Sequence, residues 1–203
     1  MKHLCNLALA AAIFAASSFG AQWSIDPAHS DASFAVKHMM VSTVRGSFSG
    51  LKGTVEYDPN DLAASKASLV IDATTVDTRD QNRDQHLRSA EFFDVTKYPT
   101  ISFVSKRIIP GANGKFQLIG EMTMHGVTKE VTFNVEGPAQ PVKDAKGILH
   151  SGATATAEVN RKDFGLTWNK TLDGGGVMVG DDVELTVEVE LVQAKPAGSA
   201  SAN

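Results

Sequence analysis

The side chains best suited to chemistry sit in a few polar stretches. His29 and Ser30 follow Asp26-Pro27-Ala28, while Asp84, His86 and Arg88 fall together with Arg83 in the run Arg79–Arg88. His38 and Arg45 lie in segments that otherwise read as strands. Imidazoles and carboxylates can hold a metal or move a proton, and guanidinium groups can clamp a phosphate through paired hydrogen bonds. The spacings do not assemble these groups into a reaction centre. No histidines stand at the His-Glu-x-x-His interval of a zinc helix, and there is no Gly-x-Ser-x-Gly nucleophile turn. Gly114-Lys115 lacks the upstream glycine and following hydroxyl of a phosphate loop, and Asp181-Asp182 is too common a pair to mark a hydrolase. A metal-dependent enzyme is therefore a weak reading.

The formal net charge is -4. No basic stripe runs along any segment, which disfavours nucleic acid as a partner. The first residues, MKHLCNLALAAAIFAASSFG, have Lys2 ahead of an apolar run from Leu4 to Ala16, then small residues at Ser18 and Gly20. That layout predicts a cleavable export signal over 1–20, placing the mature chain outside the cytoplasm in the cell envelope. The run is too short for a membrane span, which needs roughly 20 apolar residues. Cys5 is the only cysteine. It would leave with the signal, so the mature domain is expected to hold without disulfides. Residues 194–203 are small and polar and read as a disordered tail, leaving one domain over 21–193.

Within that domain the dominant pattern is period two. Val183-Glu184-Leu185-Thr186-Val187-Glu188-Val189-Glu190-Leu191 alternates without a break, as do Val131, Phe133 and Val135 with their polar neighbours. Such alternation marks antiparallel strands with one face on a core and one in water. About eight strands are expected, near 31–39, 43–57, 66–72, 99–109, 115–124, 127–137, 149–160 and 182–193. Turn residues separate them, including Pro110-Gly111, Asn113-Gly114 and a tight hairpin at His125-Gly126. The polar run 79–89 is expected to form a short helix. Long hairpin-linked strands must protect their edges, and closure into a barrel does so. An immunoglobulin-like sandwich is the rival. Periodicity does not separate a filled barrel from a hollow one.

Longer motifs add to this. Trp23-Ser24-Ile25-Asp26-Pro27-Ala28-His29-Ser30 is followed by Phe34-Ala35-Val36-Lys37-His38 and Val44-Arg45-Gly46-Ser47-Phe48. Then come Arg83-Asp84-Gln85-His86-Leu87, Phe92-Phe93-Asp94, Tyr98-Pro99, Gly120-Glu121-Met122-Thr123-Met124-His125-Gly126 and Arg161-Lys162-Asp163-Phe164-Gly165. In this order they resemble the YceI-like family of exported bacterial proteins. The resemblance implies an all-β, extended eight-stranded antiparallel, lipocalin-like barrel whose apolar interior holds a polyisoprenoid or other long-chain lipid, without catalysis and with no cofactor.

On that footing the expected cavity wall is Phe34, Val36, Phe48, Phe103, Phe116, Leu118, Met122, Met124, Phe133 and Val135, with Phe92, Phe93 and Phe164 beside them. Each serves equally well as ordinary core. His29, Ser30, His38, Arg45, Asp84 and His86 are the candidates for a polar head at the barrel mouth, with Arg83 and Arg88 as further phosphate donors. Transient membrane contact and a homodimer are compatible with the chain. A filled barrel would instead favour a protein-binding or stress-response module.

Overall fold

A computed structural model describes residues 21–57 and 61–193. The predicted signal and tail lie outside the described residues. The elements in chain order are β1 (Ala21–Ile25), β2 (Asp31–His38), β3 (Ser42–Phe48), β4 (Lys52–Tyr57), β5 (Lys66–Asp72), α1 (Gln81–Arg88), β6 (Thr100–Pro110), β7 (Lys115–Met124), β8 (Val127–Glu136), β9 (Val142–Lys143), β10 (Leu149–Asn160) and β11 (Val179–Gln193).

These strands make eight antiparallel courses closed into a barrel. β1 and β2 are two halves of one course. Both pair antiparallel with the same edge of β11, Ile25 opposite Leu191 and Phe34 opposite Leu185. β3 and β4 are likewise one course, pairing with β2 and β1 respectively. From β4 the order runs β5, β6, β7, β8, β10 and back to β11, whose free edge β10 occupies from His150 to Asn160. The little β9 pairs only with Leu149 and His150.

The predicted strand 43–57 is thus a single course with an interruption. Gly50 adopts a left-handed φ of 76°, and the chain then turns Leu51 fully inside. The predicted strand 31–39 gains a preceding segment, β1. Its five residues, cut off by Asp26-Pro27, were too short to stand out. Trp23, Ile25, Leu51 and Leu191 form a buried cluster at that end of the barrel. The main core, around Phe48, Phe103, Phe133 and Phe164, fills the middle and the opposite end.

The helix falls where expected, but packing cannot be what holds it, because Leu87 is its one large apolar residue. Polar bonds do. Asp80 caps the N-terminus, accepting from the Arg83 N–H at 3.1 Å. Asp84, only 6% exposed, accepts from the Thr78 N–H at 2.8 Å and the Thr78 hydroxyl at 2.5 Å. Arg83 donates back to the Thr78 hydroxyl and carbonyl, and Arg88 to the Thr74 and Val76 carbonyls. A bridge between Ser47 and Asp77 then ties this segment to the outer edge of β3. The segment therefore covers an edge that no strand reaches.

Gly46 makes that packing possible. A Cβ there would lie 2.5 Å from the Phe34 ring and 2.7 Å from the Thr78 methyl. Gly46→Ala is expected to destabilise the fold by about 1–3 kcal/mol, through overpacking against the Phe34 ring and the Thr78 methyl. Urea denaturation checks this as a lowered midpoint at unchanged slope.

Candidate functional site

Inward-facing residues of all eight courses leave space inside the barrel. Nearer the Trp23 end lies a cavity of about 120 Å³, lined among others by Phe103, Phe116, Leu118, Phe133 and Val135. Nearer the helix lies a second of about 130 Å³, lined by Phe34, Val36, Phe48, Phe93, Met122 and Met124 among others. Both walls are almost purely hydrocarbon, and the two cavities share Ile71. Cavities with apolar walls stay dry and favour apolar guests.

The second cavity adjoins a wider depression of about 390 Å³ at the barrel end, with which it shares Phe34, Val36, Leu87, Phe92 and Val179. Here the wall turns half polar, adding Lys37, His38, Asp80, Asn82, Arg83 and His86. This is a mouth. Three rings frame it: His86, Phe92 and Trp168, with centroids 4.9–5.2 Å apart. His86 is held by Glu91, Nε2 to Oε2 at 2.6 Å.

Twelve of the thirteen apolar candidates line these spaces. Phe164 does not. It is 1% exposed and packs into the main core beneath the turn Arg161–Phe164, so it is structural. Of the polar candidates, His38 and His86 face the mouth. Arg45 is exposed and turned away, because its neighbour Val44 already points in and successive strand residues alternate. Asp84 is spent on Thr78, and the guanidiniums of Arg83 and Arg88 are spent largely on the 74–78 backbone.

His29 and Ser30 do not meet His86. They sit in the break between β1 and β2, on the outer wall beside Glu190, which points outward between Val189 and Leu191. There His29 Nδ1 lies 2.9 Å from Asp26 Oδ2, and His150 Nδ1 lies 2.7 Å from Glu190 Oε1. The hydrogen bond to Asp26 raises the His29 pKa, and that to Glu190 raises the His150 pKa. The Asp26 pKa is lowered by the same bond to His29. Asp26, His29 and Glu190 bring one ligand atom each within 4.8 Å of one another, a grouping their sequence separation hides. They already bond to one another and stand apart from the two interior cavities, and His29 and Glu190 line instead an open depression of about 630 Å³ on the outer wall.

Two residues were given no site role from the sequence: Trp168 at the mouth and Arg161 in the wall of the second cavity. Trp168 lies in a stretch without alternation, and only its rarity marked it, as one of 2 tryptophans. Arg161 is 4% exposed and donates to the carbonyls of Gly180, Leu166 and Trp168, stitching the loop that carries Trp168 to the start of β11. Burial lowers its pKa, and Asp181 at 3.4 Å opposes that shift.

Comparison with known proteins agrees with this architecture. A family profile described as YceI-like domain matches residues 23–191. A UPF0312 protein of Staphylococcus aureus strain MSSA476 is 35% identical over 168 residues, which are 83% of this chain and 95% of the relative. The crystal structure of the Campylobacter jejuni YceI protein superposes with a TM-score of 0.66 at 29% identity, covering 78% of this chain and 90% of that one. A polyisoprenoid-binding domain from Saccharophagus degradans shares the fold, with a TM-score of 0.61 at 15% identity, over 85% and 98% of the two chains.

Two measurements separate these roles. Asp84→Ala should cost about 1–3 kcal/mol in denaturant unfolding, since the Thr78 N–H loses its partner, whereas His38→Ala at the mouth should stay within about 0.5 kcal/mol of the parent. The outer-wall network should be visible in pH-dependent melting. Raised imidazole pKa values contribute stability below the ordinary value of 6.5, and it is lost as pH climbs through the folded values. The melting temperature is therefore expected to fall as pH rises from about 6.5 through the raised imidazole values, and to fall less in Glu190→Gln.

Proposed function

Because the chain belongs to the YceI-like domain family, we propose that it is a non-catalytic carrier or scavenger that holds a long-chain isoprenoid or similar lipid inside its barrel. The observation that carries this reading is the run of two dry, hydrocarbon-walled cavities behind one half-polar mouth. The polyisoprenoid-binding neighbour of like fold supports it. The apolar N-terminal run, with its basic start and small-residue end, supports export to the periplasm.

The physics suits such a guest. Each methylene withdrawn from water contributes about 0.8 kcal/mol, so a chain of many carbons outweighs its ordering cost. Neither cavity alone reaches the roughly 300–1,000 Å³ usual for a ligand pocket. The tail enters by displacing side chains, and Met122 and Met124 in the second cavity are unbranched and adapt readily. The head rests among His38, Asn82 and Trp168 at the mouth. Since Arg83 and Arg88 are committed to carbonyls, no guanidinium pair is left at the mouth among the described residues for bidentate phosphate capture, and a weakly polar head fits better.

Native mass spectrometry of the exported protein, purified without detergent, should find one long-chain lipid per molecule. Ile71→Trp, which obstructs the boundary between the cavities, should shift the bound population toward shorter chains or leave the protein largely empty. Wild-type protein that arrives empty and also takes up no isoprenoid in vitro would overturn the proposal.

A further inference from the structure

The connection between β2 and β3 is an apolar tip. Met39, Met40 and Val41 are 42%, 67% and 85% exposed in succession. The other large apolar residues exposed among the described residues, such as Val70, Val104 and Ile109, stand singly on strands. Isolated exposure of that kind needs no explanation, whereas an exposed run does.

The backbone makes the tip stranger. Met39 and Met40 have φ of 51° and 64°, and the Val41 N–H returns to the His38 carbonyl at 3.2 Å. Two successive left-handed residues are the signature of a tight hairpin turn that favours Asn-Gly, since an L side chain there costs about 1–2 kcal/mol. Elsewhere this protein follows the rule. Asn113-Gly114 and His125-Gly126 also pair two left-handed residues, each with glycine second. Only at the β2–β3 tip, among these three, do two large apolar side chains occupy both positions. Where local preference is overruled and the side chains are then left in water, function is the expected reason.

The tip stands at the rim of the mouth. Lys37 and His38, immediately before it, line the mouth. The Met39 N–H bonds to the carbonyl of Met178, another mouth residue, and the Met178 N–H bonds to the Lys170 carbonyl. The tip is thus flanked by Lys37 and Lys170, both exposed.

We propose that the Met39-Met40-Val41 tip inserts shallowly into a lipid bilayer and sets the mouth against the membrane surface for loading and unloading. The idea rests on the lipid-carrier reading, because a ligand insoluble in water must be taken from a bilayer. Three residues are too few for a stable protein interface, which buries roughly 800 Å² per partner. They suffice for reversible interfacial binding, and the two lysines suit anionic head groups.

Co-sedimentation with vesicles of phosphatidylethanolamine and phosphatidylglycerol tests this, alongside isoprenoid uptake from detergent micelles, which bypasses the bilayer. Met40→Ser combined with Val41→Ser should weaken vesicle binding by at least about tenfold, given the apolar area removed, and slow uptake from vesicles, with micellar uptake unchanged. Met39→Asn combined with Met40→Gly supplies the residues the turn prefers. It should raise the melting temperature yet still weaken vesicle binding. Vesicle binding unchanged in both variants overturns the tip proposal and leaves the carrier reading standing. Absence of micellar uptake in the parent protein overturns the carrier reading instead, and the vesicle result still decides whether the tip binds membrane.

Discussion

β11 is hydrogen-bonded along both edges for most of its length, with β10 on one side and the broken course β1–β2 on the other. This double pairing turns a curved sheet into a barrel, and the interior exists only because of it. Leu185, Val187, Val189 and Leu191 of this strand line one cavity or the other, while Glu184, Glu188 and Glu190 stay on the outer side. A slip of one residue would place carboxylates in the hydrocarbon space. Alternation in the last strand therefore fixes register for the molecule, because both neighbouring courses read it.

The breaks in the two broken courses lie side by side, between the Ser24–Thr54 and Ala32–Phe48 pairings, and have opposite consequences. At Gly50-Leu51 the interruption drives a leucine inward and helps build the buried cluster with Trp23. At Asp26–Ser30 the interruption bulges outward, where Asp26 and His29 join Glu190 and His150 on the barrel wall. At the mouth end, the outer edge of β3 is covered by the segment that carries α1. That segment is held by Asp84, Arg83 and Arg88 rather than by apolar burial. The polar residues of the helical motif thus serve chiefly to keep a lid element in place. The aromatic frame of His86, Phe92 and Trp168 depends on that placement.

A wall made of hydrocarbon and a rim made of mixed groups give a division of labour. For the proposed lipid, the interior would supply affinity without discrimination, since apolar burial is non-directional. Discrimination, where it exists, must come from the rim and from the narrowness of the two cavities around Ile71. Methionine at 122 and 124 suits such an interior, because a flexible thioether chain repacks around guests of differing shape.

The eight-course architecture, the helix and most of the cavity wall were legible in the sequence, because inside and outside alternate along a strand and each parity is written in the local order of residues. Phe34, Phe103, Met122 and Val135 could be placed on the inner face without knowing their neighbours. The hollowness of that face could not be read, since core and wall use the same residue types and only packed coordinates separate Phe133 from Phe164. Polar residues were less legible still. Asp84, Arg83 and Arg88 look like site groups in sequence, yet the chain spends them on its own backbone. His29 and His86, alike in their polar surroundings, end on different faces of the barrel. A hydrogen bond is directional and short, so its partner is chosen by three-dimensional proximity. Burial in a sheet needs only parity, and parity is a property of the chain alone.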